Sequence, residues 1–405
     1  MKGRINSGKY RKKYKPKSFS RSSYRSYSGS KLTIIIALSL FVFVFSIVYF
    51  VLPPLLLQKF DIVFVPPYLK EPTPTPTVAP TPTPDLYKDI NFSELQQEVA
   101  VAASQYSWFG DPYFYEKSLM FTGGELVSGS ARMTTLFKYD TETNRAQRQS
   151  VKLNNSHFLY PVFNDTFIVY LDAKNDGGGE IIAHKFSDNY QNPILVKTVY
   201  TGQPMLFLDG NYLAWTERTG SNMDKLFVCD LTTQETVAVQ MFERGSYYGT
   251  SKPYIKNSLL VWADADGETA SGAITSQICV MDIKTGKLTT HKPNTYVHDP
   301  KTNGNEIFAW LDGNHGPATK LYFMKDQATP KIIDEGVVDF YMDEDFITYQ
   351  KNESIFLYLI STGKTVELTT KTQYAQICGA SAGIVAWIDV TRRDVDVLKY
   401  AYIPR

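Results

Sequence analysis

Seven short apolar strands, each closed by an aromatic residue and most followed by a hairpin, predict an all-β fold. The expected architecture is a seven-bladed β-propeller of four-stranded antiparallel blades, with six or eight blades as the alternative counts. An uncharged apolar run nearer the N-terminus predicts one transmembrane helix ahead of it. Repeat spacing and turn chemistry carry the first inference, and the length of the run carries the second.

The aromatic strands read LMF (Phe121), FIVY (Tyr170), YLAW (Trp215), LLVW (Trp262), IFAW (Trp310), FITY (Tyr349) and IVAW (Trp387). Their spacings are 49, 45, 47, 48, 39 and 38 residues. After a variable polar loop comes a second strand and hairpin, as in KLFVCDLTTQETV (225–237) and QICVMDIKTGKLT (277–289). Asp and Thr bond the turn backbone there and Gly takes the positive-φ position. A further short strand, often led by Pro, precedes each aromatic strand: DPYFYEKSLMF, YPVFNDTFIVY, KPYIKNSLLVW. Four strands in roughly 40–45 residues is the period of a propeller blade. The chain ends just after the third strand of the seventh module. Val99–Ala103 is therefore expected to supply the missing outer strand and close the ring, which removes two open sheet edges.

Residues 1–31 hold eleven basic residues and no acid, leaving 31 basic against 41 acidic residues in the remainder. That acidic remainder argues against nucleic-acid binding, which needs a basic face. The run 32–52 has the length of a bilayer-crossing helix, and basic residues flank only its N-terminal side. The expected layout is a basic cytoplasmic tail (1–31) and a transmembrane helix (32–52) as an uncleaved signal anchor. A juxtamembrane segment with a Pro/Thr-rich linker (53–92) and a propeller (93–405) follow. The lipid bilayer is thus the partner of residues 32–52, in a single-pass cell-membrane protein with its propeller outside the cytoplasm. EPTPTPTVAPTPTPD (71–85) reads as an extended spacer.

Gly379-Ala-Ser381-Ala-Gly383 matches the nucleophile elbow of serine hydrolases. The repeat places it in the turn between the first and second strands of a blade, however, and no histidine follows His315. Ser381 is therefore expected to be a turn residue. Cys229, Cys279 and Cys378 lie in apolar runs with no close pair, so they are expected in the core, without disulfides.

The pairing of LAWTE…KLFVCDLTTQE with LVWAD…QICVMDIKTGK resembles the repeat of TolB-like propellers, over roughly residues 93–405. It departs from that family's six-bladed pattern in the seven modules counted here. The resemblance implies an extracytoplasmic protein-binding platform.

An acid stands two positions after the aromatic in five modules: Asp172, Glu217, Asp264, Asp312 and Asp389. The bland expectation is a cap for the following loop; the functional one is an acidic ring on one face. Connections leading into the blades add aromatics, among them Trp108, Phe109, Tyr160, Tyr200, Tyr247, Tyr248, Tyr296 and Tyr374. The candidate ligand-binding face is Trp108, Phe109, Tyr247, Tyr248, Asp172, Glu217, Asp264 and Asp312, where flat rings and acids suit a peptide or a sugar. No catalytic residue, metal or cofactor is expected. DADGE (264–268) lacks the ligand set of a calcium loop, and His298, Asp312 and His315 are too scattered for a metal site. The expected function is non-catalytic binding or scaffolding of an envelope protein or glycan. The alternative is a propeller-type glycosidase or polysaccharide lyase.

Overall fold

A computed structural model describes residues 90–404 except 100–107, 128–129, 220–222, 244–246, 269–273, 313–317, 327, 372–373 and 392–395. The expected tail, transmembrane run and Pro/Thr segment lie outside the described residues. Among the described residues no helix is long and apolar enough to cross a membrane.

Seven four-stranded antiparallel sheets follow one another along the chain. Strand β1 (Gln96–Glu98) comes first and stands apart. Blade 1 is β2 (Trp108–Tyr115), β3 (Ser118–Val127), β4 (Ser130–Asp140) and β5 (Arg145–Arg148). Blade 2 is β6 (His157–Phe163), β7 (Phe167–Ala173), β8 (Gly179–Lys185) and β9 (Ile194–Val199). Blade 3 is β10 (Phe207–Asp209), β11 (Tyr212–Arg218), β12 (Met223–Asp230) and β13 (Glu235–Glu243). A four-residue helix (Tyr247–Thr250) leads into blade 4: β14 (Tyr254–Lys256), β15 (Leu259–Glu268), β16 (Ile274–Asp282) and β17 (Lys287–His291). Blade 5 is β18 (His298–Thr302), β19 (Ile307–Leu311), β20 (Lys320–Lys325) and β21 (Lys331–Glu335). Blade 6 is β22 (Val337–Met342), β23 (Phe346–Lys351), β24 (Ser354–Leu359) and β25 (Lys364–Glu367). Blade 7 is β26 (Ala375–Ser381), β27 (Ile384–Asp389) and β28 (Val397–Tyr402), completed by β1.

The seven repeat aromatics all fall on second strands and are buried, because that strand is covered on both faces by neighbouring blades. Four of them stack on a ring opposite in the third strand: Phe121 on Phe137, Trp215 on Phe227, Trp310 on Tyr322 and Tyr349 on Phe356, with centroids 5.4–5.6 Å apart. Such cross-strand ring pairs are the unit that stabilises a sheet. The outer hairpins follow the turn chemistry. Asp140, Asp230 and Asp282 each accept backbone N–H groups two and three residues on, at 2.8–3.4 Å. Gly286 and Gly363 take positive φ in their hairpins.

The ring closes through a strand before the first, as expected, but that strand is Gln96–Glu98; of the expected Val99–Ala103 only Val99 is among the described residues. Gln96, Gln97 and Glu98 pair with Ala401, Tyr400 and Lys399, and the Val99 N–H donates to Leu398 O at 2.9 Å. The Tyr400 hydroxyl reaches the Gln97 amide oxygen at 2.6 Å, and Phe92 is buried against Trp387, Ala401 and Ile403. The outermost strand needs little apolar character, so Gln-Gln-Glu serves. Ser381 ends β26 at the hairpin into β27, as expected from the repeat. A strand, not a helix, follows it.

Candidate active site at the channel mouth

First strands from all seven blades line a central cavity of about 320 Å³. Its walls are rich in aromatics, including Tyr113, Phe207, Tyr254 and Tyr341. At the end where the inner strands begin, charged side chains converge. The local backbone explains how they come to point inward. Five inner strands carry a bulge near their start, at Gly110/Tyr113, Leu159/Val162, His298/Lys301, Val337/Asp339 and Ile377/Gly379. A bulge leaves a residue out of the ladder and re-aims its side chain. In blades 1, 2 and 5 that residue is Asp111, Tyr160 or Asp299, with φ of 48°, 48° and 49°, and each precedes a proline. A left-handed conformation in a non-glycine residue costs on the order of 1–3 kcal/mol, and such strain concentrates at functional positions.

Asp111 Oδ2 accepts the Tyr160 N–H at 3.1 Å, joining blades 1 and 2. Asp299 joins blade 5 to the connection leading into blade 4: its Oδ1 accepts the Lys252 N–H at 2.6 Å, and its own N–H donates to Ser251 Oγ at 2.8 Å. Lys252 Nζ lies 3.9 Å from Asp299 and 3.6 Å from Asp339, and Lys301 Nζ lies 3.7 Å from Asp339. Lys301 also donates to the Phe340 carbonyl and sits 4.0 and 4.7 Å above the rings of Phe340 and Tyr341. Asp339 is thus held between two ammonium groups.

These neighbours and their burial push the titrations apart. Burial raises the Asp111 carboxyl above the usual carboxylate range, and the Tyr160 N–H offsets only part of that. Asp299 goes the other way: burial alone would raise it, but His298, Lys252 and Lys301 hold it down at about 2. Burial lowers Lys301, while Lys252 is raised because Asp339 and Asp299 outweigh its own burial. The Tyr341 hydroxyl is pushed well up by burial and by the charges of Asp339, Asp111 and Asp299 around it. Cys378 is not the core residue expected. It is half-buried on the channel wall, and burial raises its thiol, which leaves it a poor nucleophile. Cys229 and Cys279 are in the core.

None of the described side chains of the candidate ligand-binding face lines this cavity. Asp172 is buried and its carboxylate accepts the N–H groups of Asn154 and Asn155 at 2.6 and 3.0 Å, fastening the loop into blade 2. Glu217, also buried, accepts the Trp215 indole N–H at 3.3 Å. Asp264 takes the Gln240 amide and the Ala265 N–H. Asp312 is half-buried and its N–H donates to Lys320 O at 3.1 Å. Asp389 pairs with Lys399 at 2.7 Å. Burial raises Asp172, Glu217 and Asp264. Tyr248 is buried near Asp264, with its hydroxyl 2.8 Å from Ser276 Oγ, and Phe109 packs edge-on against Phe121. The side chains of Trp108 and Tyr247 lie outside the described residues, as does His315. His298 was expected on a loop but is buried in β18. Exposed aromatics do occur on the connections of this rim, at Tyr200, Tyr296 and Tyr374. Among the described residues no three His, Cys, Asp or Glu side chains cluster as metal ligands do.

No protein-family model matches the chain, and no curated protein matches it. Solved structures do. The β-propeller domain of the Trilobed protease from Pyrococcus furiosus superposes with a TM-score of 0.55 at 13% identity, over 73% of this chain and 96% of that one. That domain is described as having an open velcro topology, whereas here β1 closes the last blade. An acylaminoacyl peptidase from Pyrococcus horikoshii gives 0.50 at 13% identity, over 74% of this chain and 50% of that one, so this chain spans about half its length. TolB from Acinetobacter baumannii gives 0.40 at 12% identity, over 67% of this chain and 60% of that one. At these identities the likeness establishes the propeller fold. Against the expectation of a non-catalytic binding or scaffold module that is no enzyme, the structures at 0.50 and above belong to a protease and a peptidase.

Proposed function

We propose that this is a catalytic propeller that cleaves a glycosidic bond at the channel mouth by general acid–base chemistry. Asp111 is the proton donor, and Asp339, held between Lys252 and Lys301, is its partner. Glycoside cleavage needs two carboxyl groups in different protonation states facing one substrate. The carrying observation is Asp111 itself, strained, half-buried and raised in pKa, with its charge and that of Asp339, which sits between two lysines, both acting on Tyr341 and Cys378. The aromatic wall supports a sugar as the substrate, since flat rings pack against the apolar face of a pyranose while a few polar groups orient it. The buried acids of the loops hold the rim in place.

β-Elimination at the same mouth is the second reading, favoured by Lys301, whose burial lowers its pKa toward the range of a base. An unsaturated product absorbing in the ultraviolet would mark elimination, and a saturated one hydrolysis. Display outside the cytoplasmic membrane, anchored by residues 32–52, is part of the proposal; a reporter fused after Arg405 should be active only on the outer side. The catalytic reading is tested by incubating the protein and its Asp111→Asn variant with a panel of neutral and acidic polysaccharides and measuring new reducing ends. Loss of about 10²–10⁴-fold in the variant is expected from removing a general acid. Equal rates in the two proteins would sink it.

A further inference from the structure

A second cavity, of about 360 Å³, opens on the same rim between blades 3 and 4. Met205 and Phe207 line both cavities, so the two are neighbours. Asp224 lies in its wall, only 5% exposed, and its Oδ1 has no hydrogen-bond partner among the described residues. A buried carboxylate oxygen left without a donor is costly, so its persistence points to a donor from outside the chain. The nearest cation, Arg218, has its Nε 3.9 Å away, too far for a hydrogen bond. Its side chain is 56% exposed, which leaves guanidinium donors available at the cavity. Gly249 keeps the wall open: a Cβ there would come within 2.9 Å of Asp224 Oδ2. Tyr200 is 83% exposed and directly precedes Thr201 and Gly202 of the rim.

A buried acceptor and an exposed planar donor in one cavity, with a bare aromatic ring on the residue just before its rim, match the hydroxyls and the apolar face of a pyranose. We propose that the cavity between blades 3 and 4 is a second sugar subsite, taking the neutral hexopyranose ring next to the one at the channel mouth. Asp224 Oδ1 accepts from a ring hydroxyl, Arg218 donates to another, and Tyr200 stacks on the ring. The ring is neutral because Asp224 offsets Arg218 and would repel a sugar carboxylate, while Lys252, the other cation of the lining, is already paired with Asp299 and Asp339. This assignment rests on the glycan reading of the channel mouth.

The test is saturation-transfer NMR on the full chain with maltose, cellobiose and digalacturonate as probes, using the parent, Tyr200→Ala and Asp224→Asn. The parent should bind a neutral disaccharide. Tyr200→Ala and Asp224→Asn should each weaken that binding by about tenfold. Tyr200 is so exposed that its variant retains the fold, and matching thermal unfolding checks Asp224→Asn. No binding of either neutral disaccharide, undiminished binding by both subsite variants, or tighter binding of digalacturonate overturns the proposal. Binding with the expected pattern but no cleavage of any polysaccharide would overturn the catalytic reading and leave the subsite standing.

Discussion

Replacing Phe92 with alanine isolates the ring closure in one side chain. Phe92 is 7% exposed and packs on Trp387, Ala401 and Ile403, immediately before the strand that completes blade 7. Truncating a buried phenylalanine removes its transfer energy and leaves a cavity, which together cost about 3–5 kcal/mol. The site is at the edge of a blade and relaxes more easily than a central one, so about 3 kcal/mol is expected, or two powers of ten in the unfolding equilibrium. Urea unfolding at constant slope reads this value directly. Glu98→Ala is the control. That side chain is 61% exposed and 3.8 Å from Lys399, and losing an exposed pair shifts stability by no more than about 0.5 kcal/mol. Hydrogen exchange gives the location: the Val99 amide, bonded to Leu398 O, should lose protection in Phe92→Ala. A shift below about 1 kcal/mol, or one equal to that of the control, would refute the clasp.

The inter-blade bonds yield further expectations. Asp299 has a folded pKa near 2, below its ordinary 3.8, so its stabilisation is complete above that ordinary value and disappears as pH falls toward 2. About two pK units correspond to about 2–3 kcal/mol; Asp299→Asn should be less stable than the parent at pH 6, and the difference should shrink at pH 2. Parallel pH curves for the two proteins would contradict this. Gly178 has φ of 72°, and a Cβ there would sit 2.5 Å from Val199 O, so Gly178→Ala should lose on the order of 1–3 kcal/mol in the same assay. Ser381→Ala should leave any cleavage rate unchanged, and Ser381 should resist fluorophosphonate labelling; labelling at that residue would restore the hydrolase reading.

Legibility followed burial. A second strand is enclosed by blades on both sides, so it must be a short apolar run with a large ring, and all seven were visible as YLAW-like strings. Asp-x-x-Thr-Gly hairpins were equally plain, because the turn dictates those residues. The closing strand is hard to place from sequence because an outermost strand faces solvent: Gln-Gln-Glu carries no apolar signal, whereas the neighbouring Val99–Ala103 does. The channel mouth was harder still. Asp-Pro and Tyr-Pro were noticed only as strand openers, and a bulge that turns Asp111 or Asp299 inward leaves no mark in hydrophobic periodicity. Lys301 sat unnoticed in HDPKT, which is short and polar yet forms a buried strand. Cys378 looked like core in AQICG because the bulge at Ile377/Gly379 is invisible in sequence. The usable signal was the recurrence of X-Pro at one repeat position with X charged or aromatic.

The pH dependence of cleavage by the parent and by Asp111→Asn tests the catalytic channel most directly. A general acid works only while protonated, so the parent's rate should fall as pH rises through the Asp111 pKa, which lies above the ordinary carboxyl value of 3.8. Asp111→Asn should lose about 10²–10⁴-fold in kcat and lose that alkaline limb with it. A variant that keeps the parent's rate and the parent's profile would show that Asp111 only joins two blades.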